Sequence, residues 1–300
     1  MAREIWFAIV DVFASEPLTG NPLAVVPDAE GLDEVTLMRI AREFNQSETT
    51  FLVPPTRSGA DWRLRSFTAA GVEVFGAGHN ALGAWWWLAE AGRLALTGPR
   101  TVFAQELGDR VLPLEIVCEG GQPTGIGMVQ AAPSFGAVVT ESVALATALR
   151  LAKGDLWLER LPAQVVSTGA AHLLVPLRTR AAVDRAQPDA ERLASLLRSV
   201  RGQGCYLFCL EPLDPAATAY TRFFNPTVGI AEDPATGSAA GPLACHLAAH
   251  GVVGAEAEVV IEQGHAMARP GRIEVSLRQG QVRIFGRAVV VAEGTLRVGP

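Results

Sequence analysis

The spacing of apolar and polar residues changes several times along the chain, and each change marks an element. Residues 5–12 alternate loosely, as a half-buried strand does, and the turn residues Pro17, Gly20 and Asn21 lead to a second strand at 23–26, predicting a hairpin. Val35, Leu37, Met38, Ile40, Ala41 and Phe44 then recur at helical spacing, with Asp33 placed to cap the helix start and Asn45 to end it. Strands are expected at 50–53, closed by Pro54-Pro55, and at 62–68. A loop over 71–78 leads into a helix rich in small residues at 79–90. Residues 94–129 read as strand and turn, with Gly108-Asp109 and Gly120-Gly121 as turns, and AAPSFG at 131–136 reads as a linker. Beyond it, helices are predicted at 142–151 and at 190–200, the second capped by Asp189. A hairpin is expected over 164–177, a strand at 204–210, and mostly strands in the last fifty residues.

The segment 221–250 (TRFFNPTVGIAEDPATGSAAGPLACHLAAH) reads as a strand, a loop carrying Glu232 and Asp233, a turn from Pro234 to Ser238, and a helix. Small residues at Gly237, Ser238, Ala239, Ala240 and Gly241 allow close approach to the helix start. Unpaired N–H groups and the positive end of the helix dipole suit such a start to a carboxylate or phosphate. A weak internal repeat keeps its order. Thr19–Val25 echoes Thr168–Leu174 and Arg65-Ser66-Phe67 echoes Arg222-Phe223-Phe224. The same offset sets Ala77-Gly78-His79-Asn80 opposite Pro234-Ala235-Thr236-Gly237, and Glu48 opposite Cys205. Two similar α/β halves are therefore expected, 1–130 (open to completion by the C-terminal strand) and 131–300. If they face each other, two helix starts would point into one cleft.

Composition narrows the function. Three hundred residues suggest two domains of about 150 each. A net charge of −6 with no basic stripe argues against a nucleic-acid binder. The longest strongly apolar run, 81–89, is too short to span a bilayer, and Asp11 interrupts the N-terminal apolar stretch, so no membrane partner and a cytoplasmic protein are expected. Four cysteines, Cys118, Cys205, Cys209 and Cys245, form no zinc-binding spacing and read as buried small hydrophobes.

The departures from the repeat carry the candidate chemistry. Glu48 and His79 are peculiar to the first half, Asp233 and Ser238 to the second. Acids around an anion seat suit carbon-acid chemistry, in which one group takes a proton from carbon, a group delivers it elsewhere, and the seat holds a substrate carboxylate. Each residue also has a plain reading. Glu48 could be exposed at a strand entrance, His79 could merely begin a helix, Asp233 could be an N-cap before Pro234, and Ser238 could be a cap or packing residue. Other patterns fall behind. Gly76–Gly83 lacks a properly spaced third glycine for a dinucleotide turn, HLAAH (His246, His250) lacks a zinc-protease glutamate, and Ser238 sits in no G-x-S-x-G elbow. Proton-transfer isomerase, epimerase with Glu48 and Asp233 as unlike bases, and non-catalytic small-acid binder remain as readings.

In VDVFASEPLTGNPLAVV, AREFNQSETTF, EVFGAGHNALGA, VSTGAAHLLVPL, GIAEDPATGSAAGPLACHL and IEQGHAMARPGRIEV, spread over nearly the whole chain, the sequence resembles the phenazine-biosynthesis PhzF-like isomerase/epimerase family. The resemblance implies a diaminopimelate-epimerase-like α+β fold of two pseudo-symmetric halves, each a mostly antiparallel sheet wrapped round a central helix. It implies a homodimer acting on a small carboxylic acid without cofactor or metal. It further implies that Glu48 is the general acid/base and that His79, Asp233 and Ser238 position substrate and share the proton traffic. Gly78, Asn80, Thr236 and Gly237 would bind substrate, the glycines through their backbone. The family's best-known reaction isomerises trans-2,3-dihydro-3-hydroxyanthranilate. Related racemases place two cysteines at the helix starts; Ala77 and Pro234 hold those places here.

Overall fold

Two helices of the chain are apolar on nearly every side, and such a helix must be enclosed. In a computed structural model, which describes residues 3–299, they are His79–Glu90 and Gly237–Ala249, with all of 79–89 and nearly all of 237–247 buried. Each lies in its own compact unit. The first unit comprises the described residues up to Val129 and those from Phe285 onward; the second is Gln130–Ile284. Both are α+β.

Strand pairing repeats from one unit to the next. In the first, Arg3–Val12 pairs antiparallel with Asn21–Val26, which runs parallel to Thr49–Val53 across the connecting helix Glu34–Phe44. Thr49–Val53 pairs antiparallel with Trp62–Phe67. That strand takes the short Glu73–Val74 on one side and, beyond the central helix, the parallel Arg100–Leu107, itself antiparallel to Arg110–Glu119. The second unit follows the same scheme with Gln164–Ser167, Ala171–Pro176, Gly204–Cys209, Ala219–Asn225, Ile230–Asp233, Glu258–Gln263 and Gly271–Arg278. The first strand of each scheme has a further antiparallel neighbour, Ala288–Val298 for Arg3–Val12 and Ser134–Val138 for Gln164–Ser167.

Several readings of the sequence are corrected. Ser134–Val138 is a strand, so only 131–133 of the expected linker is irregular. The loop at 71–78 contains the two-residue strand Glu73–Val74. Glu48 does not correspond to Cys205. Thr49 faces Phe67 as Cys205 faces Phe224, which makes Gly204 the counterpart of Glu48. The offset slips because the loop 210–218 is one residue longer than its equivalent 54–61.

Packing explains the small residues of the central helices. A Cβ at Gly83 would come within 2.7 Å of Val12 and Leu23 side chains; one at Gly241, at the same step from its helix start, would strike the Gln130 amide. That amide crosses the helix to donate to the Gly237 carbonyl and accept from Thr168 Oγ1. Close approach of the strands therefore requires glycine at both places.

Arg65 and Arg222 play matching parts. Each lies about one ring contact from a phenylalanine two residues on, at 5.0 Å from Phe67 and 4.9 Å from Phe224. Each grips a carboxylate with two bonds, Glu73 or Glu232. Arg222 also reaches the carbonyls of Val183, Asp184 and Ala186, closing the C-terminal end of the helix Arg180–Arg185. Arg65 instead reaches Glu34, a mostly exposed carboxylate that water can rehydrate. We expect Arg222→Met to destabilise by about 3–5 kcal/mol, because it strands a half-buried carboxylate and three carbonyls. Arg65→Met should cost about half as much. Urea unfolding of the two variants measures the difference.

Candidate active site

Each central helix begins immediately after a turn from the sheet, and neither start is capped by a side chain. The first N–H groups of such a helix are therefore available to an anion. What surrounds each start differs between the units.

In the first unit, His79 is the first helical residue and Gly78 the cap position. Glu48 precedes the strand Thr49–Val53, and its Oε2 lies 3.6 Å from His79 Nδ1, longer than a hydrogen bond. Glu48 is not exposed, as its position at a strand entrance allowed; 16% of its side chain remains accessible. Burial, with no hydrogen bond compensating it, pushes its carboxyl up to about 7. Such a group is about half ionised at neutral pH, the condition a general acid/base needs.

Asn80 holds this corner in shape. Its Oδ1 accepts from the Gly78 N–H at 2.8 Å, and its Nδ2 donates to the Gly76 carbonyl and to Ser66 Oγ, both at 3.0 Å. Thr50 Oγ1 joins the same group, 2.9 Å from Ser66 Oγ. With its amide so committed, buried Asn80 fixes the turn that presents Gly78 and His79.

In the second unit, Asp233 closes the strand Ile230–Asp233, and the helix begins only at Gly237 with Thr236 at the cap position. Asp233 is thus neither in a loop nor an N-cap, because Pro234 and Ala235 form a turn between it and the helix. Its Oδ2 accepts the Thr236 hydroxyl at 2.5 Å. Gln263 locks the turn, donating to the Asp233 carbonyl at 2.7 Å and to Thr236 Oγ1 at 3.0 Å. Its Oε1 accepts from the Thr236 N–H and from the Tyr206 hydroxyl. Gln263 therefore does for this turn what Asn80 does for the other.

Ser238, in the first turn of the helix, lies 3.2 Å through its Oγ from His172 Nε2. His172 is 3% exposed, packs edge-on against Phe223 with ring centres 5.0 Å apart, and is held neutral by burial, which lowers its pKa to about 4. Neither His172 nor Gln263 was singled out in the sequence. The available signal was a histidine at the polar break of an apolar strand, VSTGAAHLLVPL, and a glutamine at a strand end, IEQG.

The structure thus brings Glu48 to His79 and Asp233 to Thr236, joins Ser238 to His172, and sets Gly237 as the first helical residue. All four thiols are buried and free. Burial raises those of Cys209 and Cys245 to about 11 and that of Cys205 further, so none of these three is a thiolate near neutral pH. Among the described residues no helix is long and apolar enough to cross a membrane, and no group of three or more His, Cys, Asp or Glu could hold a metal ion.

Comparison with known proteins adds the following. The sequence profile of the family described as phenazine biosynthesis-like protein matches residues 10–294. The chain is 32% identical to an uncharacterized isomerase of Clostridium acetobutylicum, with 99% of each chain covered. It is 33% identical to the trans-2,3-dihydro-3-hydroxyanthranilate isomerase of Pseudomonas aeruginosa, over 96% of this chain and 98% of that one. The crystal structure of a phenazine biosynthesis protein of the PhzF family from Bacillus anthracis superposes with a TM-score of 0.88 at 30% identity, covering 98% of this chain and 99% of that one.

The raised Glu48 carboxyl makes a signed prediction. Folded Glu48 keeps its proton between pH 4.5, its ordinary value, and about 7, where the unfolded chain has released it. Stability contributed by this group is therefore present at low pH and falls as pH rises through that window. Glu48→Gln should abolish this slope and exceed wild type in stability by up to about 3 kcal/mol at about pH 8. Urea denaturation at about pH 5 and about pH 8 checks both statements.

Proposed function

Because the chain belongs to the phenazine biosynthesis-like protein family, whose named relatives are isomerases, we propose that it is a cofactor-independent isomerase of a small cyclic carboxylic acid, with Glu48 as the group that moves the proton. One observation carries this reading: a carboxyl whose pKa is about 7, enclosed beside His79 at an uncapped helix start. Ionised Glu48 takes a proton from a substrate carbon, the electron pair left behind shifts the double bond, and the same carboxyl returns its proton to another carbon. His79 aligns the carboxyl and the developing charge. Asp233 and Ser238, with the backbone of Gly78 and Gly237, hold the polar groups of the substrate; Asn80 and Thr236 keep the two turns in place. Trans-2,3-dihydro-3-hydroxyanthranilate, the substrate in the name of the Pseudomonas aeruginosa relative, is the first compound to test. The same reading takes the protein as a cytoplasmic homodimer.

A second reading, epimerisation by Glu48 and Asp233 as unlike bases, is favoured by the burial of Asp233 immediately before the second helix start. A two-thiol racemase is disfavoured, since Ala77 and Pro234 occupy the places of its thiols and burial keeps Cys205, Cys209 and Cys245 protonated.

Incubation in heavy water with a panel of cyclic carboxylic acids, followed by NMR, tests both. Wild type should place deuterium on carbon, and Glu48→Gln should lose about a hundredfold or more of that rate. Movement of a double bond identifies an isomerase; inversion at one carbon identifies the epimerase. Exchange that survives Glu48→Gln would remove Glu48 from the role of base. Binding of an acid with no exchange on the whole panel would leave a non-catalytic binder.

A further inference from the structure

His172 is a buried histidine that the proton transfer does not use, and its surroundings dictate where its own proton sits. Its Nε2 meets Ser238 Oγ at 3.2 Å, while its Nδ1 is buried with no hydrogen-bond partner among the described residues. The ring is fitted between Phe223 and the bare Cα of Gly204, where a Cβ would stand 3.1 Å from Nδ1. A neutral imidazole carries one N–H. If Nδ1 carried it, a buried donor would point at carbon, the costlier kind of unsatisfied group; a bare Nδ1 lone pair costs less. The proton therefore belongs on Nε2, and Nε2–H donates to Ser238 Oγ.

The consequence falls on Ser238. Its oxygen accepts from His172, and it has no other hydrogen bond among the described residues. Its own hydrogen is left to donate, from the first turn of a helix that no side chain caps. The opposite arrangement, Ser238 donating to a bare Nε2, would make a serine nucleophile with a histidine base; the burial of Nδ1 disfavours it. We infer that His172 is a positioning residue that fixes the Ser238 hydroxyl as a hydrogen-bond donor beside the uncapped N–H groups of the helix start, so that this all-donor corner selects a carboxylate, with two accepting oxygens, over a carboxamide, whose oxygen accepts but whose nitrogen would face a donor. The inference deepens the proposed function by naming the substrate group held at Ser238, and rests on that reading only for the identity of the reaction.

The corresponding positions of the first unit fit. The strand pairing makes Leu23 the counterpart of His172 and Ser66 the counterpart of Phe223 in the first unit, where no serine follows the helix start. Histidine occurs only where a helix-start serine is present to receive its N–H.

The test uses the full chain and two probes, anthranilate and its amide, anthranilamide. Nitrogen-15 NMR of wild type should show the His172 proton on Nε2 and none on Nδ1. Calorimetry should show anthranilate bound about tenfold or more tighter than anthranilamide. Ser238→Ala and His172→Leu should each remove most of that preference, and the double variant should be no worse than Ser238→Ala alone, since His172 acts through the hydroxyl. His172→Gln, whose amide nitrogen can reach Ser238 Oγ, should restore most of it, which a purely structural role would not. A proton on Nδ1, equal binding of acid and amide by wild type, or additive losses in the double variant would each overturn the proposal. Should deuterium exchange fail while the tautomer and acid preference hold, the isomerase reading falls and this one stands.

Discussion

Enclosure of an all-apolar helix is the constraint on which the rest of each unit depends. A sheet that wraps such a helix must come close to it, and Gly83 and Gly241 are where it does. The helix can then enter only from the sheet's edge, through a short turn after a strand. That turn is pinned by an amide, Asn80 in one unit and Gln263 in the other, each with its donors and acceptor committed. A pinned turn leaves the first N–H groups of the helix uncapped by any side chain and at a fixed place. Packing of apolar surface thus supplies, in both units, a preorganised seat for negative charge.

Duplication of that scaffold explains its chemical asymmetry. The pair Glu48 and Ser66 in the first unit corresponds to Gly204 and Phe223 in the second. Where one unit places a carboxylate, the other removes the side chain altogether and brings in an aromatic ring, whose edge lies 2.4 Å from where a Gly204 Cβ would be. The first corner carries the raised carboxyl of Glu48; the second carries Ser238 and Asp233 with their partners His172 and Thr236.

Burial then sorts the titratable groups. It pushes thiols and the Tyr206 phenol upward and the imidazoles of His172 and His246 down to about 4. Each of these groups is neutral around pH 7 and stays so. The same effect acting on a carboxyl with an ordinary value of 4.5 brings Glu48 to about 7. The same burial that holds these groups neutral therefore brings Glu48 into the working range of an acid/base.

The elements and the repeat were legible along the chain, because these rest on local periodicity and on turn and cap chemistry. The helix from Glu34 to Phe44 with Asp33 and Asn45 at its ends, the helix His79–Glu90, and the capping of Ala190–Val200 by Asp189 are all set by neighbours in the chain. The motif resemblance likewise carried Glu48, His79, Asp233 and Ser238 as candidates. Tertiary structure decided what no local pattern encodes: register, enclosure and partnership. A single extra loop residue moved the counterpart of Glu48 from Cys205 to Gly204, which depends on which residues face each other across strands. AAPSFG looked like a linker because the strand Ser134–Val138 is exposed throughout and its residues display no alternation. Asp233 looked like an N-cap until the turn delayed the helix by three residues, with Thr236 at the cap position. His172 gained its meaning only when folding brought a strand residue to a serine 66 positions away, and its protonation state follows from what surrounds it in space.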